Sequence, residues 1–82
     1  MFLFAVKEKF ILNGIGVILT PGLGDKIKFV GVGTEIKLIR PDNSDLTCSI
    51  NGIIFEGTHD ILIPAEFADV DIPIGTRVFI ND

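Results

Sequence analysis

The feature that most constrains the fold is a five-residue pattern that occurs twice, at residues 32–36 and 74–78. Each copy reads apolar, Gly, Thr, charged, apolar, and each opens a further apolar run. Glycine supplies a tight turn that other residues resist, and the β-branched and apolar residues that follow favour a strand. The repeat therefore predicts two strand starts in a small β domain, with Glu35 and Arg77 paired if the two strands place them side by side.

Over residues 2–12, Phe2, Phe4 and Phe10 fall on one parity and Lys7 and Lys9 on the other, a period of two that predicts a first strand with phenylalanines inward and lysines outward. Asn13 and Gly14 then predict a hairpin turn, because both residue types accept a positive φ. Residues 65–70 are long enough for one helical turn only. The remaining predicted strands are residues 17–20, 26–30, 34–40, 46–55, 61–63 and 76–80.

The dipeptide Asn51-Gly52 interrupts the apolar run at residues 46–55 and has two interpretations. It is either a two-residue hairpin turn or a bulge in one continuous strand.

Length and composition indicate one small domain spanning residues 1–82, with 48% hydrophobic residues to form its core. Short strands at intervals of about 8–12 residues are typical of a barrel or a sandwich. Closing the sheet would also remove exposed edges, which a chain this apolar needs. The chain is expected to be a monomer or a homodimer, since any apolar surface left uncovered would be available to a second copy.

Cysteine and hydropathy patterns bound the compartment. One cysteine, Cys48, excludes an internal disulfide, and the absence of disulfides favours the cytoplasm. No apolar run approaches the roughly 18 residues of a membrane span. The apolar start precedes its first positive charges, the reverse of a secretory signal, so we expect no signal peptide and no membrane partner.

Charge divides the chain into two unlike halves. Residues 1–40 hold six basic and three acidic residues, a net charge of +3, whereas residues 41–82 hold one basic and eight acidic residues, a net charge of −7. Such an asymmetry predicts an acidic contact region if the second half presents one face. The candidate residues of that region are Asp42, Asp45, Glu56, Asp60, Asp69 and Asp71.

Four segments resemble, in order, the second, β-barrel domain of translational GTPases such as elongation factor Tu. Residues 10–20 are similar to its opening hairpin, residues 32–38 to its next strand start, residues 47–53 to its central strand with a bulge-like Gly, and residues 72–78 to its closing segment. The resemblance implies a closed antiparallel barrel of six or seven strands and a bulge at Asn51-Gly52. It implies no GTPase activity, because that activity resides in another domain, and no contact residue for RNA matches.

Residues with catalytic or ligand-binding chemistry are few, and we predict neither an enzyme nor a metal or cofactor site. His59 adjoins Asp60 but has no second histidine or nucleophile at a useful spacing. Cys48 lies in an apolar strand, where a small core residue is the commoner role. The Gly-x-Gly segments precede strands, whereas a dinucleotide-binding loop opens a helix.

The function predicted from the sequence is therefore a non-enzymatic binding module that contacts another protein, basic in charge, through an acidic surface. Small immunity or inhibitor proteins and accessory domains act in this way. The alternative is RNA or ribosome-associated binding through the lysine-bearing strands, with Lys7, Lys9, Lys26 and Lys28. The negative net charge disfavours that alternative, because nucleic-acid affinity depends on neutralising phosphates.

Overall fold

The computed structural model describes residues 1–81, which form two four-stranded antiparallel sheets and two short 3₁₀ helices. Sheet A has the order β1-β8-β4-β5 and consists of β1 (Phe2–Ala5), β8 (Arg77–Ile80), β4 (Glu35–Ile39) and β5 (Asp45–Ser49). Sheet B has the order β2-β3-β7-β6 and consists of β2 (Glu8–Leu12), β3 (Gly16–Thr20), β7 (Ile61–Ile63) and β6 (Gly52–Ile53). The 3₁₀ helices are η1 (Gly24–Phe29) and η2 (Ala65–Asp69).

The predicted all-β class is confirmed, but the predicted closed barrel of six or seven strands is wrong. Residues 1–81 form eight strands, and neither sheet closes on itself. The count is larger because the two longest predicted strands, residues 2–12 and 46–55, each turn a corner in the middle and contribute one strand to sheet A and one to sheet B.

The first corner lies at Val6 and Lys7, between β1 and β2. The side chain of Val6 is buried there, and the Lys7 N–H donates to the carbonyl of Thr20 in sheet B (2.8 Å). The corner changes which residues face the core. Phe4 before it is buried as predicted, whereas Phe10 after it is 47% exposed.

The second corner lies at Ile50 and Asn51, between β5 and β6. The Asn51 N–H donates to the carbonyl of Leu62 in sheet B (2.8 Å). The hairpin turn is therefore excluded, because the strands on the two sides of Asn51-Gly52 belong to different sheets. Asn51 and Gly52 both lie opposite Leu62, which is the two-against-one pairing of a β-bulge placed at the corner.

The fold consists of one arrangement used twice. Residues 2–39 run β1-β2-β3-η1-β4, and residues 45–80 run β5-β6-β7-η2-β8 in the same order. Each sheet places equivalent strands symmetrically: β4 and β8 are central in sheet A, and β3 and β7 are central in sheet B. The two halves are therefore related by an approximate two-fold axis through both sheets.

The repeated sequence pattern forms two equivalent turns that start β4 and β8. Thr34 N–H donates to the carbonyl of Gly31, and Thr76 N–H donates to the carbonyl of Pro73, each over 3.1 Å. Gly33 and Gly75, third in each turn, have φ values of 94° and 93°. A type II turn requires a positive φ at that position, which explains the glycine in both copies.

Each of these turns holds the corner of the opposite half. Gly33 N–H donates to the carbonyl of Ile50 (2.7 Å), and Ile50 N–H donates to the carbonyl of Thr34 (2.9 Å). In the other copy, Gly75 N–H donates to Val6, and Val6 N–H donates to Thr76, both over 2.8 Å. The halves are thus interlocked by reciprocal main-chain bonds.

The charged residues of the two patterns do not form the cross-strand pair considered from the sequence. Strands β4 and β8 are antiparallel neighbours, so Arg77 lies opposite Ile39 while Glu35 lies beyond Ile80 at the far end of the pair.

Residues 26–29 form most of η1 instead of the predicted strand at 26–30, and Val30 follows the helix in an extended conformation. Leu23, Ile27 and Val30 all pack into the core, and their spacing of four and then three residues is helical. The alternation of lysine and apolar residues fits a strand equally well over so short a segment, and the core contacts of the helical spacing decide between them.

One hydrophobic core lies between the sheets and draws on both halves. Its fully buried side chains include Ile36, Leu38 and Val78 from sheet A, and its sheet B members are Val17, Leu19, Ile61 and Ile63. Across residues 1–81, no helix has the length and apolar character needed to cross a membrane.

Candidate functional site

The outer face of sheet B is the most unusual surface of the molecule. Strand register aligns Phe10 with Ile18, Ile18 with Leu62, and Leu62 with Gly52 in one row across all four strands. The neighbouring residues Val17, Leu19, Ile61 and Ile63 are fully buried, so this row lies on the opposite face. Antiparallel sheets with one face on the core usually carry polar residues on the other face, and this row carries none.

Two glycines keep this face flat. A Cβ atom on Gly16 would lie 2.5 Å from the carbonyl oxygen of Ile63 and 2.8 Å from Cδ1 of Leu62. A Cβ atom on Gly52 would lie 3.4 Å from Cδ2 of Leu62. The Leu62 side chain therefore lies across both glycines. We call the surface formed by Phe10, Leu12, Ile18 and Leu62 the apolar face.

Two carboxylates border the apolar face at one end. Glu8 pairs with Thr20 in the next row of the sheet. Asp60 directly precedes β7 with the same parity as Leu62, and its carbonyl accepts the Ile54 N–H (2.9 Å), which extends the β6–β7 ladder to this row. Since the main chains of neighbouring strands are about 4.8 Å apart, the main chains at Glu8 and Asp60 are separated by roughly 10 Å across β3.

The predicted acidic residues fall into two groups rather than one region. Asp42, Asp45 and Asp71 lie near Arg40, whose Nε donates to the Asp71 carbonyl oxygen (2.7 Å) and whose Nη1 donates to Ser44 Oγ (3.2 Å). Asp69 ends η2 two residues before Asp71. Glu56 and Asp60 lie instead in the β6–β7 connection of sheet B.

Internal contacts engage two carboxylates of the first group. The Ser44 hydroxyl (2.6 Å) and the Ser44 N–H (2.9 Å) both donate to Oδ1 of Asp42. The hydroxyl bond is the main reason that the pKa of Asp42 lies below its ordinary value of 3.8, because it stabilises the charged carboxylate. Asp45 forms an ion pair with Lys37 (3.6 Å) in which both side chains are about half exposed.

His59 adjoins an open cleft of about 530 Å³ between η1 and the β6–β7 connection. Its backbone has a φ of 62°, its Nδ1 is buried without a hydrogen-bond partner, and its ring meets that of Phe55 edge to face at 6.1 Å. The Asp60 carboxylate contacts Thr58 Oγ1 (3.5 Å). Within residues 1–81, no hydrogen bond joins Nδ1 of His59 to the Asp60 carboxylate.

The role of the His59 loop is to hold the first half of the chain. The His59 carbonyl accepts the Leu23 N–H (2.9 Å), and the Thr58 carbonyl accepts the Gly24 N–H (2.8 Å). A Cβ atom on Gly22 would overlap the main chain of His59, so only glycine fits there. The cleft thus lies where the β6–β7 connection packs against η1 and the residues before it.

Cys48 faces the core from β5 and is 6% exposed. Burial raises the pKa of its thiol to about 11, and the charge of Glu66 acts in the same direction. A thiol held in its protonated form is a poor nucleophile and a poor metal ligand. Throughout residues 1–81, no three His, Cys, Asp or Glu side chains gather closely enough to hold a metal ion.

The four candidate lysines do not form one basic strand surface. Lys26 and Lys28 belong to η1, and the Nζ of Lys26 donates to the Leu3 carbonyl (3.3 Å) while lying over the Phe2 ring. Lys9 Nζ donates to the Val70 carbonyl (3.3 Å). Two of the four ammonium groups are thus engaged by main-chain oxygens.

Sequence reasoning missed the apolar face. The alternation over residues 2–12 assigned Phe10 and Leu12 to the core, because nothing in it marks the corner at Val6 and Lys7. The available signal was the run without polar residues at 15–19. Polar and apolar residues alternate in a strand with one face in water, so a strand without polar residues indicates apolar side chains on both faces of the sheet.

Comparisons with known proteins identify no relative: no family model, no curated protein and no solved structure matches this chain.

Proposed function

We propose that the protein is a non-enzymatic binding module for another protein, one that carries basic residues. The observation that supports this proposal most directly is the apolar face of sheet B, with Phe10 at 47% and Leu12 at 39% exposure. Contiguous exposed apolar surfaces on small domains are characteristic of interaction sites.

Charge gives the proposed partner its second property. The chain has a net charge of −4, and the carboxylates Glu8 and Asp60 border the apolar face. Complementary charge around an interface mainly raises the association rate and the specificity. Glu56 and Asp60 are thus the predicted acidic residues nearest the proposed contact, while Asp42, Asp45, Asp69 and Asp71 contribute to the general acidic field.

An immunity, inhibitor or accessory role in the cytoplasm suits a small acidic module without catalytic groups. The resemblance to the second domain of elongation factor Tu stays a prediction, and the two-sheet architecture does not support its closed-barrel form.

The test uses the full chain as bait in an extract of its native cells, with two matched double variants. Phe10→Ser with Leu12→Ser removes the apolar face, whereas Val32→Ser with Ile74→Ser removes two residues of greater exposure, 66% and 75%, outside it. We expect the wild type and the second variant to retain the same basic protein and the first variant to lose it. Equal retention by both variants would contradict the proposal.

Salt dependence tests the electrostatic part separately. Neutralising Glu56 and Asp60 (to Gln and Asn) should weaken capture and flatten its dependence on ionic strength more than neutralising Asp42 and Asp45 does. Unchanged salt dependence in both variants would exclude the acidic contribution. A salt-sensitive gel shift with RNA, abolished by changing Lys26 and Lys28, would instead support the nucleic-acid alternative.

A further inference from the structure

The four sheet edges of the molecule differ in how well they are protected. Strand β6 has only two residues, and β5 exposes the polar side chains Asp45, Thr47 and Ser49. In β1, the carbonyl of Leu3 accepts the ammonium of Lys26. Short length, polar side chains and covered main-chain groups are the devices that prevent an edge from pairing with another chain.

Strand β2 has the least protection against strand addition. It is five residues long, it forms the outer edge of sheet B, and three of its residues are exposed apolar side chains: Phe10, Ile11 and Leu12. Its one inward lysine, Lys9, is directed to the Val70 carbonyl.

The main-chain groups that face outward from β2 can be assigned. The Leu12 carbonyl accepts the Ile15 N–H within the hairpin turn, so it points toward β3. Alternate residues of an antiparallel strand bond to the same neighbour, which directs Glu8 and Phe10 toward β3 as well. Lys9 and Ile11 therefore direct their N–H and C=O groups to the free edge.

We propose that an extended segment of the partner protein adds to β2 as a further strand of sheet B. The segment has apolar side chains that continue the apolar face beside Phe10 and Leu12, and a lysine or arginine beside Glu8. This inference rests on the proposed function and specifies how the partner binds. Main-chain bonds to Lys9 and Ile11 supply affinity, and the alternating side chains supply specificity.

Charge favours a basic partner over a second copy of this chain. An antiparallel pair of β2 strands centred on Phe10 would place Glu8 opposite Leu12 of the other copy, with no cation for either carboxylate. It would also bring together two chains with a net charge of −4 each.

The probe is a display library of random twelve-residue peptides, selected against the full chain. We expect selected peptides to alternate apolar residues and to carry a basic residue at one end. Glu8→Lys should shift the selection from a basic to an acidic residue at that position. Glu35→Lys, an equal charge change on an exposed strand residue of sheet A, should leave it basic.

A second pair of variants isolates the strand edge from the apolar face. Ile11→Pro removes an outward N–H, which an edge strand tolerates, while Ile11→Val keeps it. We expect Ile11→Pro to weaken binding of a selected peptide about tenfold, the effect of roughly 1.4 kcal/mol of lost main-chain bonding, and Ile11→Val to bind like the wild type. Amide exchange of the core strands checks that the proline variant is folded.

Three results would overturn the inference: no enrichment of peptides, equal binding by the two Ile11 variants, or a dimer by sedimentation that Ile11→Pro dissociates, which would place a second copy on the edge. Equal binding by the Ile11 variants, together with loss of the cellular partner on Phe10→Ser and Leu12→Ser, would leave the proposed function standing without strand addition.

Discussion

Strands β2 and β6 occupy equivalent edges of sheet B, yet β2 runs for five residues and β6 for two. The difference arises in the connections that follow them. Residues 13–15 close the β2–β3 hairpin tightly, so both strands extend to the turn. Residues 55–59 instead leave the sheet, and the carbonyls of Thr58 and His59 bind the N–H groups of Gly24 and Leu23 at the start of η1. The β2–β3 hairpin of the first half is therefore exposed to solvent, whereas the β6–β7 loop of the second half is hydrogen-bonded to the first half.

The two halves share their turns and corners but differ in the surfaces that they expose. The turns at Gly33 and Gly75 and the corners at Val6 and Ile50 are equivalent in both halves. Charge and edge exposure are not, since the first half is basic with an open edge and the second is acidic with a short one. Stability should therefore respond alike to changes in either half at the framework positions.

The largest expected effect concerns the two corner side chains. Ile50 and Val6 are at most 1% exposed, and truncating a buried isoleucine to alanine costs about 2–5 kcal/mol. We expect Ile50→Ala to fall in that range and Val6→Ala to cost about 1 kcal/mol less, because one fewer methylene group is removed. Urea denaturation of both variants measures the difference. A corner that tolerated alanine without loss would break the equivalence of the halves.

The turn glycines come next. Gly33→Ala and Gly75→Ala each force a side chain into a positive φ, at a cost of about 1–2 kcal/mol. The surroundings leave room for a Cβ atom at both positions. No atom lies within 4 Å of a Cβ placed on Gly33, and the nearest atom to a Cβ placed on Gly75 is Cγ of Pro41, at 3.7 Å. Thermal unfolding should show nearly equal losses, and Gly31→Ala, without a positive φ, serves as the control.

The threonines of the repeated pattern distinguish the halves. Thr76 Oγ1 donates to the carbonyl of Pro73 (2.7 Å), whereas Thr34 Oγ1 accepts the Gly31 N–H (2.9 Å), since proline has no N–H to donate. Thr76 is fully buried and Thr34 is not. We expect Thr76→Val to cost about 1 kcal/mol, more than Thr34→Val. The reverse order in denaturant titrations would contradict this assignment of the hydroxyl bonds.

The smallest effect concerns the loop between the halves. Because hydrogen bonds from Ser44 lower the folded-state pKa of Asp42, their contribution to stability is complete well above the ordinary value of 3.8 and is lost as the pH falls through the folded value. In Ser44→Ala, the carboxyl of Asp42 should titrate at a higher pH by NMR.

The sequence was sufficient for the parts of the fold that local chemistry determines. The β class, the Asn13-Gly14 hairpin and the strand starts after Gly33 and Gly75 all follow from turn residues and alternation. The corner at Val6 and Lys7 did not follow, because a chain keeps its apolar alternation while it changes sheets. The apolar face was hidden for the same reason: one unseen corner reverses the facing of every later residue in β2.

Met1 and Ile80 lie side by side. The ammonium group of Met1 donates to the Ile80 carbonyl (2.8 Å), and the Ile80 N–H donates to the Met1 carbonyl (3.0 Å). By the two-fold arrangement, this junction is the counterpart of the loop at residues 40–44, which joins β4 to β5. The two junctions are equivalent in position but differ in bonding: the peptide chain joins β4 to β5, whereas hydrogen bonds join β8 to the residue before β1. A permuted chain, joined at the present ends and cut between Asn43 and Ser44, would run the acidic half first and contain every strand whole.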